Sequence, residues 1–201
     1  ADQIYLPDSG SLYPERLACT HAFSGGLNVR FRAIKPSDEE EMRKLFYRFL
    51  DNAVYYRYFS AIKSMPHRKM QEYVNVDYQR IMSIVGTVEE LGVERVIAEG
   101  RYVRHHDRPF ADVAFVVDEA FQGRGIASFL FEMLIRIARE IGIEGFTADV
   151  IADNKPMLKV FEKAPFPIRA VMEYGIYNLT IPFEDPEAFR SRDSDVKKGS
   201  G

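Results

Sequence analysis

The stretch Val116–Leu130, VVDEAFQGRGIASFL, decides how the rest of the chain is interpreted. An apolar strand pattern ends at Val117, Gly123 and Gly125 follow, and a helix pattern begins at Ile126. Glycine has no Cβ, so the backbone N–H groups of such a turn can approach a bound group closely. The ligand that the N-terminus of a helix favours is an anion, and above all a phosphate. The stretch therefore predicts a strand, an anion-binding turn and a helix.

Three interpretations of the two glycines were compared. A dinucleotide-binding fingerprint, GxGxxG, is disfavoured because Ser128 occupies its third position and five residues separate Val117 from Gly123. That fingerprint also belongs to repeated strand–helix–strand units, whereas the preceding strands read as antiparallel neighbours. A pyrophosphate loop and a plain tight turn with positive φ remain, and the glycines alone do not separate them.

Alternation of apolar and polar residues predicts a strand at Asn28–Ile34, and a change of the hydrophobic period further along the chain predicts six more. Short connections after the second and third strands predict antiparallel neighbours there, and the helix after the glycine turn predicts a parallel crossover. The fold class is therefore mixed α/β, a mostly antiparallel sheet of about seven strands flanked by helices. The strands are expected at Asn28–Ile34, Ile81–Val88, Arg95–Val103, Pro109–Val117, Phe146–Ile151, Ile168–Glu173 and Ile176–Ile181.

Helical spacing of apolar residues predicts the helices between these strands. They are expected from Pro36 to Leu50, Ala53 to Phe59, His67 to Tyr73, Ile126 to Ile141 and Asn154 to Lys163. Residues 1–27 are expected to form an irregular arm, 28–183 one catalytic domain and 184–201 a polar, disordered tail. Because the chain begins at Ala1 without Met, it is interpreted as processed, or as excised from something longer.

Composition limits the classes of function. The 201 residues are 46% hydrophobic, which suits one globular domain, and the net charge of −3 argues against a nucleic-acid partner. The sequence contains no run of 18 apolar residues, so no membrane span is predicted, and it shows no signal peptide. The single cysteine, Cys19, excludes an internal disulfide framework and favours a reducing, cytoplasmic location. The four histidines lack the spacing of a metal site, so no metal ligand is predicted.

The segment Gln122-Gly123-Arg124-Gly125-Ile126-Ala127 resembles the [Q/R]-x-x-G-x-[G/A] signature of the GNAT superfamily of N-acetyltransferases. The strand before it and the amphipathic helix after it are similar as well, and the resemblance covers about three quarters of the chain. Asn154–Lys163 resembles the second cofactor segment of that superfamily. More narrowly, Tyr55–Phe59, Gly145–Val150 and Val160–Lys163 resemble bacterial protein lysine acetyltransferases of the Pat type, in which this domain is often fused to another.

The resemblance implies a site for acetyl-CoA, the acyl donor, in a gap between two diverging strands. Backbone groups of Val116, Val117 and Asp118 would pair with the pantetheine arm. The N–H groups from Gly123 to Ala127 would hold the pyrophosphate, next to Gln122. Asn154 would contact the cofactor arm, a role compatible with that of a plain helix cap. Arg124 either neutralises a phosphate or is a solvated loop residue.

Two acidic residues stand inside apolar strands and are the candidate catalytic groups. Asp112 lies where Pat-type proteins carry a Glu, and Glu99 is the reserve on the neighbouring strand. Burial among apolar neighbours raises the pKa of a carboxyl, which would make Asp112 a better base. Many superfamily members also carry a Tyr that protonates the leaving thiolate, and here that position is Phe161. We therefore expect the thiolate to take its proton from water or from the product ammonium.

The sequence thus predicts an acetyl-CoA-dependent N-acetyltransferase that modifies a lysine side chain of a protein. Adenylate-forming acyl-CoA synthetases are the first expected acceptor proteins, on the resemblance alone. Two alternatives remain open: an acetyltransferase for small-molecule amines, and a non-catalytic module that senses acyl-CoA. A regulatory or fusion domain elsewhere in a longer chain is also expected from the resemblance.

Overall fold

The computed structural model of the protein describes residues 13–49, 67–185 and 187. Its secondary structure combines runs of consecutive strands with helices. The strands are β1 (Cys19–Phe23), β2 (Leu27–Ala33), β3 (Ile81–Glu90), β4 (Val93–Arg104), β5 (Phe110–Val117), β6 (Gly145–Ile151), β7 (Arg169–Glu173) and β8 (Ile176–Pro182). The helices are α1 (Glu39–Phe49), α2 (His67–Val74), α3 (Ile126–Glu140) and α4 (Lys155–Glu162). The helix predicted from Ala53 to Phe59 lies outside the described residues.

The strands of the described residues form one sheet of eight in the order β1-β2-β3-β4-β5-β6-β8-β7. Every neighbouring pair is antiparallel except β5 and β6, which are parallel because α3 carries the chain from one to the other. The mixed, mostly antiparallel α/β fold predicted from the sequence is therefore confirmed. The sheet has one strand more than predicted, because Cys19–Phe23, counted in the irregular arm, pairs with β2.

The extra strand was missed for a physical reason. Four of its five residues are exposed, so it carries no alternation of buried and exposed side chains. It is held instead by pairing with β2 and by aromatic contacts with α3, where the rings of His21 and Phe129 lie 4.5 Å apart. A strand stabilised in this way leaves almost no local pattern in the sequence.

Two apolar clusters cover the two faces of the sheet. The larger one packs α3 onto the sheet through seven buried residues, namely Ile126, Leu130, Phe131, Met133, Leu134, Ile137 and Ala138. The smaller one joins α1 and α2 to the opposite face, through residues such as Met42, Leu45, Met70 and Val85. Alternate side chains of a strand point to opposite faces, so each residue of β4 and β5 belongs to one of these two environments.

The parallel pair of strands opens into a V, and this opening positions the site. β5 and β6 are paired only at Phe110–Gly145, Ala111–Phe146 and Asp112–Thr147. Beyond Thr147, β6 continues to pair with β8 but no longer with β5. The edge of β5 that faces β6 is thus left open from Val113 to Val117, directly before the glycine turn.

Candidate functional site: an anion-binding cleft beside a split sheet

The glycine turn has the backbone geometry that its sequence predicts. Gly123 and Gly125 have φ values of 75° and 90°, in the left-handed region that side chains with a Cβ rarely adopt. Gly125 is the residue that precedes α3, where its ψ is 8°. The two left-handed glycines flank Arg124, which has a negative φ. Together they turn the chain sharply from the short 3₁₀ helix Glu119–Phe121 into α3. The glycines are therefore required by conformation, whatever the turn binds.

The N-terminus of α3 offers unsatisfied N–H groups. No side chain caps this end, and the first N–H that is bonded within the helix belongs to Phe129, which donates to the Gly125 carbonyl at 3.0 Å. The N–H groups of the first helical turn, Ile126 to Ser128, consequently have no intrahelical acceptor. Together with the positive end of the helix dipole they favour an anion at this point.

The turn and the start of α3 form one side of a cleft of about 230 Å³, and α4 forms the other. Seven predicted cofactor residues line it: Val117, Gln122, Gly123, Gly125, Ile126, Ala127 and Asn154. Seven further residues complete the lining: Phe121, Ser128, Pro156, Met157, Lys159, Val160 and Lys163. The spacing of those on α4 places them on one face of that helix, which is the signal from which they can be recognised. Lys159 and Lys163 add positive charge beside the free N–H groups.

Asn154 caps α4 as well as lining the cleft. Its side-chain oxygen accepts a hydrogen bond from the Met157 N–H at 3.3 Å. The two roles proposed from the sequence, helix cap and cleft residue, are therefore geometrically compatible. The cap holds the first turn of α4 at the cleft wall, so loss of this side chain would loosen the wall as well.

Three predicted cofactor residues do not line the cleft. The Arg124 guanidinium donates to the Ser24 carbonyl at 2.6 Å, which ties the glycine turn to the connection between β1 and β2. Asp118 is buried, and its N–H donates to the Ile97 carbonyl of β4 at 2.7 Å. Because backbone groups alternate along a strand, those of Val116 point to β4 as well, and those of Val117 point to the open edge. The expectation for Val116 and Asp118 thus does not fit the direction of their backbone groups.

The Asp118 side chain has a structural task. Its carboxylate forms ion pairs with Arg48 of α1 at 2.6 Å and with Arg95 of β4 at 3.1 Å. It also accepts from the Ala120 N–H at 3.0 Å and so caps the short turn before the glycines. These contacts fix the end of β5 and the starting direction of the glycine turn.

Asp112 lies at the base of the V, on the face opposite α3. The burial expected for it is wrong, since its side chain is 65% exposed. Its apolar neighbours Ala111 and Val113 point to the other face of the sheet, so they do not shield the Asp112 carboxylate from solvent. Its carboxylate accepts a hydrogen bond from the Thr147 hydroxyl, and the His105 ring nitrogen Nε2 lies 3.6 Å from the same oxygen.

Glu99 is buried on the same face and is fully engaged. One carboxylate oxygen accepts from Ser83 Oγ at 2.6 Å and from Arg101 Nε at 2.8 Å, and the other accepts from the Tyr73 hydroxyl at 2.6 Å. Burial, followed by the Glu99 charge, raises the pKa of Tyr73 well above its ordinary value. Burial alone would lower the pKa of Arg101, but Glu99 raises it above its ordinary value. This arrangement leaves Glu99 no free oxygen for a substrate.

Phe161 has no group that can donate a proton, and its surroundings are apolar. Its ring is buried and lies 5.2 Å from that of Phe131 and 5.9 Å from that of Phe115. The Tyr55–Phe59 segment, which resembles Pat-type proteins, lies outside the described residues. Within residues 13–49, 67–185 and 187, no cluster of three His, Cys, Asp or Glu side chains is arranged to hold a metal ion. In that same part of the chain, no helix has the length and apolar character needed to cross a membrane.

The fold and the cleft together define a class of protein. The chain whose sheet splits between two parallel strands, with a glycine turn and an uncapped helix N-terminus at the opening, matches acetyltransferases in both its family model and its fold. The chain belongs to the acetyltransferase (GNAT) family, whose model matches residues 39–166.

Known relatives place the chain close to the Pat acetyltransferases. Acetyltransferase Pat of Mycolicibacterium smegmatis is 38% identical over 134 residues, which are 66% of this chain and 39% of Pat. The chain thus spans about two fifths of the length of that relative. The GNAT domain of S. lividans PAT superposes with a TM-score of 0.73 and 28% identity, over 86% of this chain and all of that domain.

A second kind of relative is similar over a shorter stretch. YwnH of Bacillus subtilis, named as a candidate phosphinothricin acetyltransferase, is 39% identical over 67 residues. These residues make up 33% of this chain and 38% of YwnH. The family is thus established, and its members differ in what they acetylate.

Proposed function

We propose that this chain transfers an acetyl group from acetyl-CoA to the side-chain amine of a lysine in another protein. The observation that carries the proposal is the combination of the uncapped N-terminus of α3 with the open edge of β5. The first suits a pyrophosphate, and the second suits a pantetheine arm, which carries amides that can pair as a strand does. A lysine amine would then approach the thioester through the opening between β5 and β6.

Donor binding is assigned to the lining of the cleft. The N–H groups from Gly123 to Ala127 hold the pyrophosphate, and Lys159 and Lys163 supply compensating charge. The pantetheine arm pairs with β5 through backbone groups of Val117 and of Phe115, two residues earlier, because these point to the open edge. Val116 and Asp118 keep the end of β5 in place by bonding to β4.

The chemical step is a direct attack of the neutral amine on the thioester carbonyl. The nitrogen forms a bond to the acetyl carbon, the carbon–sulfur bond breaks, and the CoA thiolate leaves. A lysine amine arrives mostly as ammonium at neutral pH, so a group must accept its proton before the attack. Asp112 accepts this proton through a bridging water and later releases it to solvent. The CoA thiolate takes the second proton, which the attacking nitrogen loses as the amide forms, directly or through water, because Phe161 has no proton to donate.

Asp112 is preferred to Glu99 on geometry. Both carboxylates lie on the face opposite α3, but every oxygen of Glu99 is occupied by Tyr73, Ser83 or Arg101. Asp112 stands at the last paired position before β5 and β6 separate, and its second oxygen makes no hydrogen bond within the described residues. A docked acceptor would cover this carboxylate and exclude bulk water around the bridging water molecule, which favours proton transfer.

A protein acceptor is favoured over a small amine by the exposure of Asp112. A small amine requires a closed pocket with specific partners, whereas the 65% exposed carboxylate stands at an open surface. The similarity to Pat points in the same direction. Adenylate-forming acyl-CoA synthetases remain the first acceptors to test, and a cytoplasmic location and a regulatory domain in a longer protein belong to the same proposal.

The test is incubation with acetyl-CoA and a bacterial protein extract, followed by mass spectrometry of acetylated lysines. Gly125→Asp protein serves as the control for non-enzymatic acetylation. Specific lysines modified only by the unaltered chain would support the proposal. Turnover of small amines without protein acetylation would favour the small-molecule alternative. Tight binding of acetyl-CoA without transfer to either acceptor would favour a sensor.

A further inference from the structure

Three polar side chains from different parts of the chain meet at the base of the V. They are Asp112 of β5, Thr147 of β6 and His105, which follows β4. Thr147 Oγ1 donates to Asp112 Oδ1, and His105 Nε2 lies 3.0 Å from Thr147 Oγ1. His105 is the more enclosed end of the cluster, with 23% of its side chain exposed against 65% for Asp112.

The number of available protons determines the direction of these hydrogen bonds. A hydroxyl group has one hydrogen, and an ionised carboxylate can only accept. The Thr147 hydroxyl therefore donates its one hydrogen to the hydrogen bond with Asp112. The Thr147 oxygen consequently accepts its other hydrogen bond, which comes from His105. This requires a proton on Nε2 of the imidazole, both in the neutral ring and in the charged ring. The bonds then run in one direction, from His105 through Thr147 to Asp112.

This chain of hydrogen bonds restricts a side chain that would otherwise rotate freely. An exposed aspartate samples several rotamers, and holding it in one of them costs conformational entropy. Here Oδ1 is held by Thr147, whose hydroxyl is oriented in turn by His105. The second oxygen of Asp112 is left in a defined direction at the point where the strands separate. Catalysis by a proton acceptor depends strongly on such orientation.

We infer that His105 is a positioning residue for the acetyl transfer, acting on Asp112 through Thr147. The inference rests on the proposed function, in which Asp112 accepts the proton of the amine. His105 itself touches neither substrate. Its contribution is to hold the Thr147 hydroxyl, and thereby the carboxylate, in the orientation that receives the amine.

Four variants separate hydrogen bonding from shape. Thr147→Val keeps the volume of the side chain and removes the hydroxyl, whereas Thr147→Ser keeps the hydroxyl. His105→Leu removes the N–H donor, whereas His105→Gln keeps a donor at similar reach. Thr147→Val and His105→Leu are expected to lower kcat by roughly tenfold with an unchanged KM for acetyl-CoA. Thr147→Ser and His105→Gln should restore most of it, and His106→Leu in the neighbouring exposed turn should have no effect.

A double-mutant cycle identifies the residue through which His105 acts. If it acts through Asp112, His105→Leu causes no further loss of kcat once Asp112→Asn is present. A general structural effect would instead lower kcat again in that background and would reduce the melting temperature. Long-range ¹H–¹⁵N spectra give a readout independent of activity: the proton of the neutral His105 ring should reside on Nε2. A proton on Nδ1 in those spectra would overturn the inference.

The possible failures are distinguishable. If Asp112→Asn lowers kcat but Thr147→Val and His105→Leu do not, the positioning role of His105 is wrong and the proposed function stands. If Asp112→Asn itself leaves kcat unchanged, the catalytic assignment of Asp112 fails and the inference fails with it. If additive losses appear in the double mutant, His105 does not act through Asp112.

Discussion

Glu99 and Arg101 stand two residues apart on the same face of β4 and form an ion pair, with Nε and Oε1 2.8 Å apart. The side chains are 2% and 12% exposed, and Arg101 also donates to the Tyr73 carbonyl at 2.5 Å while lying 3.4 Å from the centre of the Tyr73 ring. The pair therefore joins the end of α2 to the centre of the sheet. Glu99 thus has a structural role, the ion pair with Arg101, that explains why a carboxylate stands at this position of β4. Asp112 has no such ion pair with an arginine or lysine within the described residues.

Glu99→Gln is expected to destabilise the protein rather than to abolish catalysis directly. The substitution leaves the Arg101 charge buried without its partner, which costs on the order of 3 kcal/mol. The free energy of unfolding from urea denaturation measures this loss, and acetyl-CoA affinity should remain unchanged at a temperature where the variant is folded. Glu89→Gln, at an exposed position of β3, is the matched control and should change stability little. Full stability of Glu99→Gln together with a large loss of kcat would return the catalytic role to Glu99.

Tyr102→Phe is expected to stabilise the protein. Tyr102 is fully buried, and its hydroxyl has no hydrogen-bond partner within the described residues. Removing an unsatisfied buried hydroxyl avoids a desolvation cost of about 1–2 kcal/mol. Urea denaturation at neutral pH checks this, with Tyr174→Phe at a fully exposed position as the control. A clear loss of stability would show that the hydroxyl has a partner after all.

The same residue predicts a pH dependence in alkaline solution. Burial raises the pKa of Tyr102 to about 12, from 10.0 in its ordinary state. A pKa raised in the folded state means that the unfolded chain loses its proton first. Stability is therefore complete below pH 10 and falls as the pH rises towards 12, by about 2–3 kcal/mol for this residue. Denaturation curves between pH 9 and about 12 should show a smaller decline for Tyr102→Phe than for the unaltered chain, and an equal decline would contradict the assignment.

Gly125→Asp is expected to weaken acetyl-CoA binding at least tenfold, about 1.4 kcal/mol. The added carboxylate places negative charge next to the free N–H groups of α3, and the φ of 90° disfavours any side chain. Space alone is not the obstacle, because a Cβ there would lie 3.9 Å from the nearest atom of Phe23. Calorimetric titration measures the affinity. Gly92→Asp, with a φ of 78° in the distant turn between β3 and β4, controls for backbone strain and should bind normally.

Asp112→Asn is expected to lower kcat by roughly a hundredfold and to leave acetyl-CoA affinity nearly unchanged. The amide keeps the size of the side chain and its contact with Thr147, but it cannot accept the proton of the amine. Steady-state kinetics provide the measurement, with a protein acceptor that the unaltered chain acetylates. Asp107→Asn in the exposed turn after β4 is the matched control. Near-normal kcat in Asp112→Asn would leave a water relay without a dedicated carboxylate as the better explanation.

Elements with a strong local pattern were predicted correctly from the sequence. The apolar face of α3, the mainly apolar runs of β3 and β4 and the alternation in β5 reflect burial against neighbours, and burial is recorded in the residues themselves. The need for glycine at 123 and 125 is likewise local, because it follows from the positive φ angles of a sharp turn. These features were enough to predict the fold class, and the family resemblance that they carry named half of the residues that line the cleft.

Features that depend on pairing between distant segments were not predictable in this way. β1 has no buried face of its own, so only its pairing with β2 identifies it as a strand. The apolar neighbours of Asp112 suggested burial, yet whether that face of β5 is covered depends on elements far away in the chain. The direction of the Val116 and Asp118 backbone groups depends on the register of β4 against β5.

The sequence by itself determined the order of the described helices and of the strands from β2 onward, the glycine turn and the identity of the candidate carboxylates. Their roles were decided only by the tertiary structure. Glu99 is occupied because α2 brings Tyr73 to it, and Asp112 is oriented because β6 brings Thr147, 35 residues later, into hydrogen-bonding distance. The physical reason is that periodicity records which face of an element is buried, whereas hydrogen bonds between side chains depend on the register of strands that are distant in sequence.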